Sequence, residues 1–203
     1  KPRIDIELLK DHTGGLVCLS GCLAGYIPRK ILAGEYEEAK KHALYMKSIF
    51  EEDSYYLEIQ DHGIEDQKTV NKSIISISNE TGIPLVATND VHYLRKSDAE
   101  IQALSMCIQT GNVITDGRPI GFETDEFYFK SRGEMERLFN ENPEALDNTV
   151  KISDMCCFEY DFSKTFLPKY IPADNSEPSD YIRKITYGGF EKRKRNKSIV
   201  FSD

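Results

Sequence analysis

Apolar positions along this chain fall into two alternating patterns. Short continuous apolar runs, bounded by Gly, Pro and polar clusters, predict buried strands at Leu16-Val17-Cys18-Leu19, Tyr55–Ile59 and Leu85-Val86-Ala87. Between them the apolar residues recur at helical spacing. Tyr26 to Ala33 predicts a short helix ended by Gly34. Glu35 to Phe50 predicts a stronger one, with Ala39, Ala43, Met46, Ile49 and Phe50 on one side and Lys40, Lys41 and Lys47 on the other. Ile64 to Thr81 predicts a third, with Val70, Ile74, Ile75 and Ile77 inward and Gly82 as its stop. Ahead of them all, Ile4, Ile6, Leu8 and Leu9 predict a helix over Lys1–Thr13, halted by Gly14-Gly15.

The pattern continues more loosely. Ser97 opens a helix that carries Ile101, Leu104 and Ile108 to Gly111, and Asn112 to Thr124 predicts a surface excursion. Phe127-Tyr128-Phe129 predicts an extended piece. Ser131 predicts a cap for Gly133 to Phe139, and Pro143 after Asn142 starts a helix to Met155. Phe158 to Phe162 predicts an edge strand after Cys156-Cys157. Thr165 to Ser179, with Pro168, Pro172 and Pro178, predicts a linker. Asp180 to Arg195 predicts a helix broken at Gly188-Gly189. Strands alternating with helices predict an α/β protein with parallel strands and right-handed crossovers.

Composition narrows the classes. With 203 residues, 39% hydrophobic and 30% charged, the chain is long enough for one well-buried core. No apolar run approaches the ~20 residues needed to span a bilayer, and no apolar segment of signal-peptide type follows Lys1. A net charge of -8 excludes a general nucleic-acid binder acting through its overall field. The locally basic run Glu191–Lys197 is a solvated face or a phosphate contact. Five scattered cysteines fit a reducing cytoplasm rather than a disulfide framework.

Candidate chemistry gathers after the strands. Asp90 and His92 are two apart, so in extended backbone both side chains leave the same side. A carboxylate and an imidazole so placed can serve as paired ligands for a divalent metal; the alternative is a helix N-cap with His merely nearby. Cys22, in the small-residue turn Ser20–Gly25, presents a thiolate or fills a tight corner. His62 follows the second strand. Loops after parallel strands meet at the carboxyl ends, so Cys22, His62, Asp90 and His92 are expected at one rim.

Several segments together carry a resemblance. Leu19-Ser-Gly-Cys-Leu-Ala-Gly25, Leu57-Glu-Ile-Gln-Asp-His-Gly63, Leu85-Val-Ala-Thr-Asn-Asp-Val-His-Tyr-Leu94, Cys107-Ile-Gln-Thr-Gly111 and Phe127-Tyr-Phe-Lys-Ser131 resemble, in order, the PHP domain of bacterial DNA polymerase III alpha subunits. So do Asn142–Val150 and Phe166-Leu-Pro-Lys-Tyr170. The resemblance implies a partial PHP-type distorted barrel of parallel strands with outer helices, followed by a short helical extension. Its domains would be the later part of the PHP domain (1–165), a Pro-rich linker (166–179) and the start of the polymerase palm (180–203).

It also implies a metal cluster to which Asp90 and His92 contribute the closing D-x-H motif and Cys22 the cysteine of the S-G-C turn, with His62 beside the site. The family's H-x-H-S-type motif has no counterpart here, and the resemblance places it before Lys1. Its catalytic aspartates for nucleotide addition would lie beyond residue 203. The chain alone is therefore expected to hold metal weakly, and a barrel edge left open would favour self-association. The parent would be a cytoplasmic replicative polymerase acting on DNA and deoxynucleotides with magnesium. Its PHP region would be a metal-dependent 3'-5' exonuclease site (zinc, manganese or magnesium) or a structural platform. Proofreading and sliding-clamp subunits would be its partners. Two rivals stand beside this: a stand-alone phosphoesterase of the histidinol-phosphatase type, and a non-catalytic docking module.

Overall fold

Three parallel strands run side by side in the order β1-β2-β3: β1 is Cys18–Leu19, β2 Tyr55–Ile59 and β3 Leu85–Ala87. The computed structural model describes residues 3–112 and 121–195. Cys18 pairs with Tyr55, and Leu57 to Ile59 pair with Leu85 to Ala87. Consecutive strands that run parallel need crossovers. These are α2 (Tyr26–Leu32) with α3 (Tyr36–Ile49), then α4 (Glu65–Thr81). The chain thus adopts the α/β arrangement of parallel strands with outer helices that its sequence pattern predicts.

The core lies between the sheet and these helices. Leu57, Ile59, Ile74, Ile77, Ile83, Ala39 and Ala43 are almost fully buried, and Val70, Tyr55 and Leu85 nearly so. All of α4's buried aliphatics fall at helical spacing, as the sequence predicts. Gly82 ends α4 with φ 65°, a left-handed conformation that costs glycine nothing.

After β3 a 3-10 turn, Lys96–Asp98, leads into α5 (Ala99–Thr110). The predicted excursion at Asn112 to Thr124 lies mostly outside the described residues. A parallel bridge joins Tyr93 to Tyr128. Then α6 (Arg132–Leu138) begins at Ser131, whose side chain and that of Glu134 form a capping box. α7 (Pro143–Met155) follows and packs on β3. There Asn148 is buried and donates from Nδ2 to the Leu85 carbonyl at 2.7 Å, which satisfies part of the sheet's outer edge.

Three expectations need correction. The first helix, α1, spans only Ile6–Lys10, with the Asp5 carboxylate accepting from the Leu8 amide at 2.9 Å. It buries no residue, so nothing extends it beyond its cap. Phe158 to Phe162 is not a strand, for no neighbour pairs with it among the described residues. And Gly188-Gly189 does not break the last helix: α8 runs unbroken over Pro178–Arg195. Two glycines cost about 1 kcal/mol each relative to alanine, which neighbouring helix formers can offset.

The chain divides into two compact units, Lys1–Cys157 and Phe158–Asp203. The first holds the sheet and core. In the second, α8 buries no residue, and Phe158, Tyr160, Phe162, Phe166 and Leu167 are exposed. Local contacts order it: Tyr170 lies against Tyr181 (ring centroids 5.9 Å), and Asp174 accepts from Ser176 and Lys184. No helix among the described residues is long and apolar enough to cross a membrane.

Candidate metal and acid-base site

The loops after the three strands meet at the carboxyl rim, and Glu58 of β2 is the tie between them. Its Oε2 accepts from the Gly21 amide at 3.0 Å, in the loop after β1. Its Oε1 accepts from the Thr88 hydroxyl, just after β3, and from Gln60 Nε2 at 2.9 Å. Its own amide donates to Ser20 Oγ at 2.8 Å. A lone charged residue inside the apolar strand Tyr55-Tyr56-Leu57-Glu58-Ile59 was the sequence signal for this role, one that motif spacing passes over.

Cys22 lines a small cavity at this rim, about 10 Å³, with Gly21, Glu58, Gln60, Gln67 and Asn71. That is about the least volume that holds one water. The turn is tight: a Cβ at Gly25 would sit 2.9 Å from the Cys22 carbonyl, so only glycine fits. Cys22 thus borders polar groups and also fills a corner.

Asp90 and His92 face each other. Asp90 Oδ1 lies 3.4 Å from His92 Nε2, and each side chain is 36% exposed. Asp90 adopts φ 41°, in the left-handed region that non-glycine residues rarely occupy. The His92 amide donates to the Phe127 carbonyl at 2.9 Å, and its ring meets Phe122 (4.5 Å) and the edge of Phe127 (5.7 Å).

His62 comes to the same rim but is sealed within it. It is fully buried and stacks on Phe127 at 4.0 Å. Nε2 lies 2.8 Å from the Asn89 carbonyl and Nδ1 2.8 Å from Gln67 Nε2. Those partners assign a neutral ring that donates from Nε2 and accepts at Nδ1. Burial pushes its pKa below the ordinary histidine value, against the opposing pull of the Asn89 carbonyl. Both ring nitrogens are engaged, so this histidine holds structure together here.

The structure therefore brings Asp90 and His92 into contact and links the Cys22 turn to Thr88 through Glu58. A carboxylate and an imidazole suit a zinc- or manganese-type ion in kind. They fall short in number: among the described residues no three His, Cys, Asp or Glu side chains gather as a metal-holding group. A catalytic zinc takes about three protein ligands. By itself the pair places one carboxylate and one imidazole side by side, half-exposed, at the rim.

Lys130 is the other residue that sequence alone does not single out. Its side chain is 2% exposed, and its ammonium contacts Asn89 Oδ1 at 3.1 Å.

Comparison with known proteins agrees with this architecture. Residues 1–62 match the family model described as "PHP domain". The chain is 42% identical to the DNA polymerase III subunit alpha of Borreliella burgdorferi over 205 residues, covering 100% of this chain and 18% of that protein. Against the same subunit of Treponema pallidum it is 42% identical over 95% of this chain and 17% of that one. For Thermus aquaticus the figures are 36%, 95% and 16%. The chain thus spans less than a fifth of the length of the curated relatives it matches. With similarity running along its whole length in the family's order, the chain belongs with the PHP region of the DNA polymerase III alpha subunits.

Proposed function

We propose that the chain acts as the PHP region of a bacterial replicative DNA polymerase, in which the Asp90–His92 pair contributes to a divalent-metal nuclease site. The parent would join deoxynucleotides to a DNA primer, with magnesium at the polymerising centre. The observation that carries the nuclease part is the 3.4 Å carboxylate–imidazole contact at the end of β3, on a backbone held at φ 41°. Strained backbone of this kind persists where the surroundings over-determine it, and it clusters at working sites. Further donors would come from the rest of the parent chain, since the described residues supply too few. Zinc or manganese suits a carboxylate–imidazole pair better than magnesium, which takes oxygen donors.

The Pro-rich stretch 166–179 would then lead from the PHP region (1–165) into the palm, which 180–203 would begin. Such a protein would work in the cytoplasm beside proofreading and sliding-clamp subunits. Self-association through a sheet edge would need the edge at β1 or β3 to be left uncovered.

A nuclease assay on the full-length protein tests this reading. Asp90→Ala and His92→Ala should each lower 3'-end hydrolysis of a primed template by about 10²-fold or more, in the range seen for removing a general acid or base, while polymerisation continues. Unchanged hydrolysis in both variants would leave the region a structural platform.

A further inference from the structure

We infer that Lys130 and His62 are positioning residues that grip Asn89 from two sides and so keep the Asp90–His92 pair assembled before any ligand arrives. The inference rests on the proposal that this pair is the working one.

The turn Thr88–His92 needs holding. Asp90 lies at φ 41°, where a residue with a Cβ is disfavoured, so neighbouring contacts must supply the compensation. Asn89, immediately before it, has three polar groups taken. Its carbonyl accepts from His62 Nε2 at 2.8 Å. Its Oδ1 accepts from Lys130 Nζ at 3.1 Å, and its Nδ2 donates to the Tyr128 carbonyl. On the far side of Asp90 the His92 amide is tied to the Phe127 carbonyl at 2.9 Å. Asp90 and Val91 therefore span two fixed points.

Both gripping groups are buried: His62 is fully so, and the Lys130 side chain nearly so. Burying an ammonium is costly unless it is paired and hydrogen-bonded. Lys130 is both. Its Nζ lies 3.4 Å from a Glu126 carboxylate oxygen, donates to the Glu126 carbonyl, and sits 4.5 Å from the centre of the Tyr128 ring. Those contacts are local to its own segment. The bond to Asn89 reaches a residue 41 positions away. An amide oxygen held by a charged donor is held more firmly than by a neutral one.

Solution NMR of the His92 ring in the full-length protein, without metal or DNA, tests this. Asp90→Asn gives the reference signal of a broken pair. Lys130→Met keeps the stem and removes the ammonium. It should move the His92 ring signals most of the way to that reference, with core methyl signals of Leu57 and Ile74 unchanged. Asn89→Ala should do the same, and the double variant should add nothing to either single change. Where Lys130→Met does not fold, Asn89→Ala is scored by the same criterion. His92 signals that stay at their wild-type positions in the folded variants, with or without a lower melting temperature, would overturn the inference. Because the signal is recorded without substrate, it stands or falls separately from the nuclease assay.

Discussion

Gln67 holds His62 at two points at once. Its Oε1 accepts from the His62 amide at 2.7 Å, and its Nε2 lies 2.8 Å from the ring's Nδ1. Both residues are buried, so no water can replace either bond at low cost. Gln67→Leu should therefore destabilise the first unit by about 1–3 kcal/mol, the penalty for unpaired buried polar groups. Urea denaturation measures it, and a loss well under that range would show that the clamp is dispensable.

The same burial sets a pH dependence. His62 is held below the ordinary histidine pKa of 6.5 by burial, and so is the half-buried His42. The unfolded chain thus binds these protons before the folded one does as pH falls. Their contribution to stability is complete above about pH 6.5 and is lost progressively below it. Denaturant midpoints at pH 7.5 and 5.5 should differ, with the lower at pH 5.5. Equal midpoints would contradict the sealed His62.

Much of the scaffold was legible because its signals are local. The apolar runs at Tyr55–Ile59 and Leu85–Ala87 match β2 and β3 to the residue, and Gly82, Gly111 and Pro143 mark helix ends where they stand. The site was legible only in part. Asp90 and His92 are near neighbours in sequence and do meet, but with Asp90 in the left-handed region rather than on the extended backbone that the spacing argument assumed. Glu58 reaches Gly21 and Thr88, and Lys130 reaches Asn89, across 30 to 41 residues. No periodicity reports such contacts. The misread Phe158–Phe162 segment makes the same point: its Phe-x-Tyr-x-Phe alternation fits a strand, but a strand exists only with a partner.

Asn148 ties α7 to the sheet's outer edge through the Leu85 carbonyl at 2.7 Å. Asn148→Ala should cost about 1–3 kcal/mol by leaving that carbonyl unpaired. It should also open the edge of β3 to other chains. Sedimentation at increasing concentration would show association in the variant above that of the wild type; identical profiles with unchanged stability would refute the tie.

At the start of α6, the Ser131 hydroxyl, the Tyr128 hydroxyl and the Ser131 amide hold the Glu134 carboxyl down at about 2. Ser131→Ala removes the first of these and the N-cap. It should cost about 1 kcal/mol of stability, the usual worth of such a cap. In a carboxyl NMR titration Glu134 should rise toward its ordinary value of 4.5. Since the depressed carboxyl favours the folded state, its stabilisation is present above about pH 4.5 and disappears as pH falls toward 2. A Glu134 titration unchanged by the substitution would remove Ser131 from the account.

The most direct test of the Asp90–His92 site is crystallographic. Crystals of the full-length protein grown with manganese and measured at its absorption edge should show anomalous density bridging Asp90 Oδ1 and His92 Nε2, absent in His92→Ala. An ion bound elsewhere at the rim with this pair untouched, or no ion at any concentration that supports nuclease activity, would contradict it.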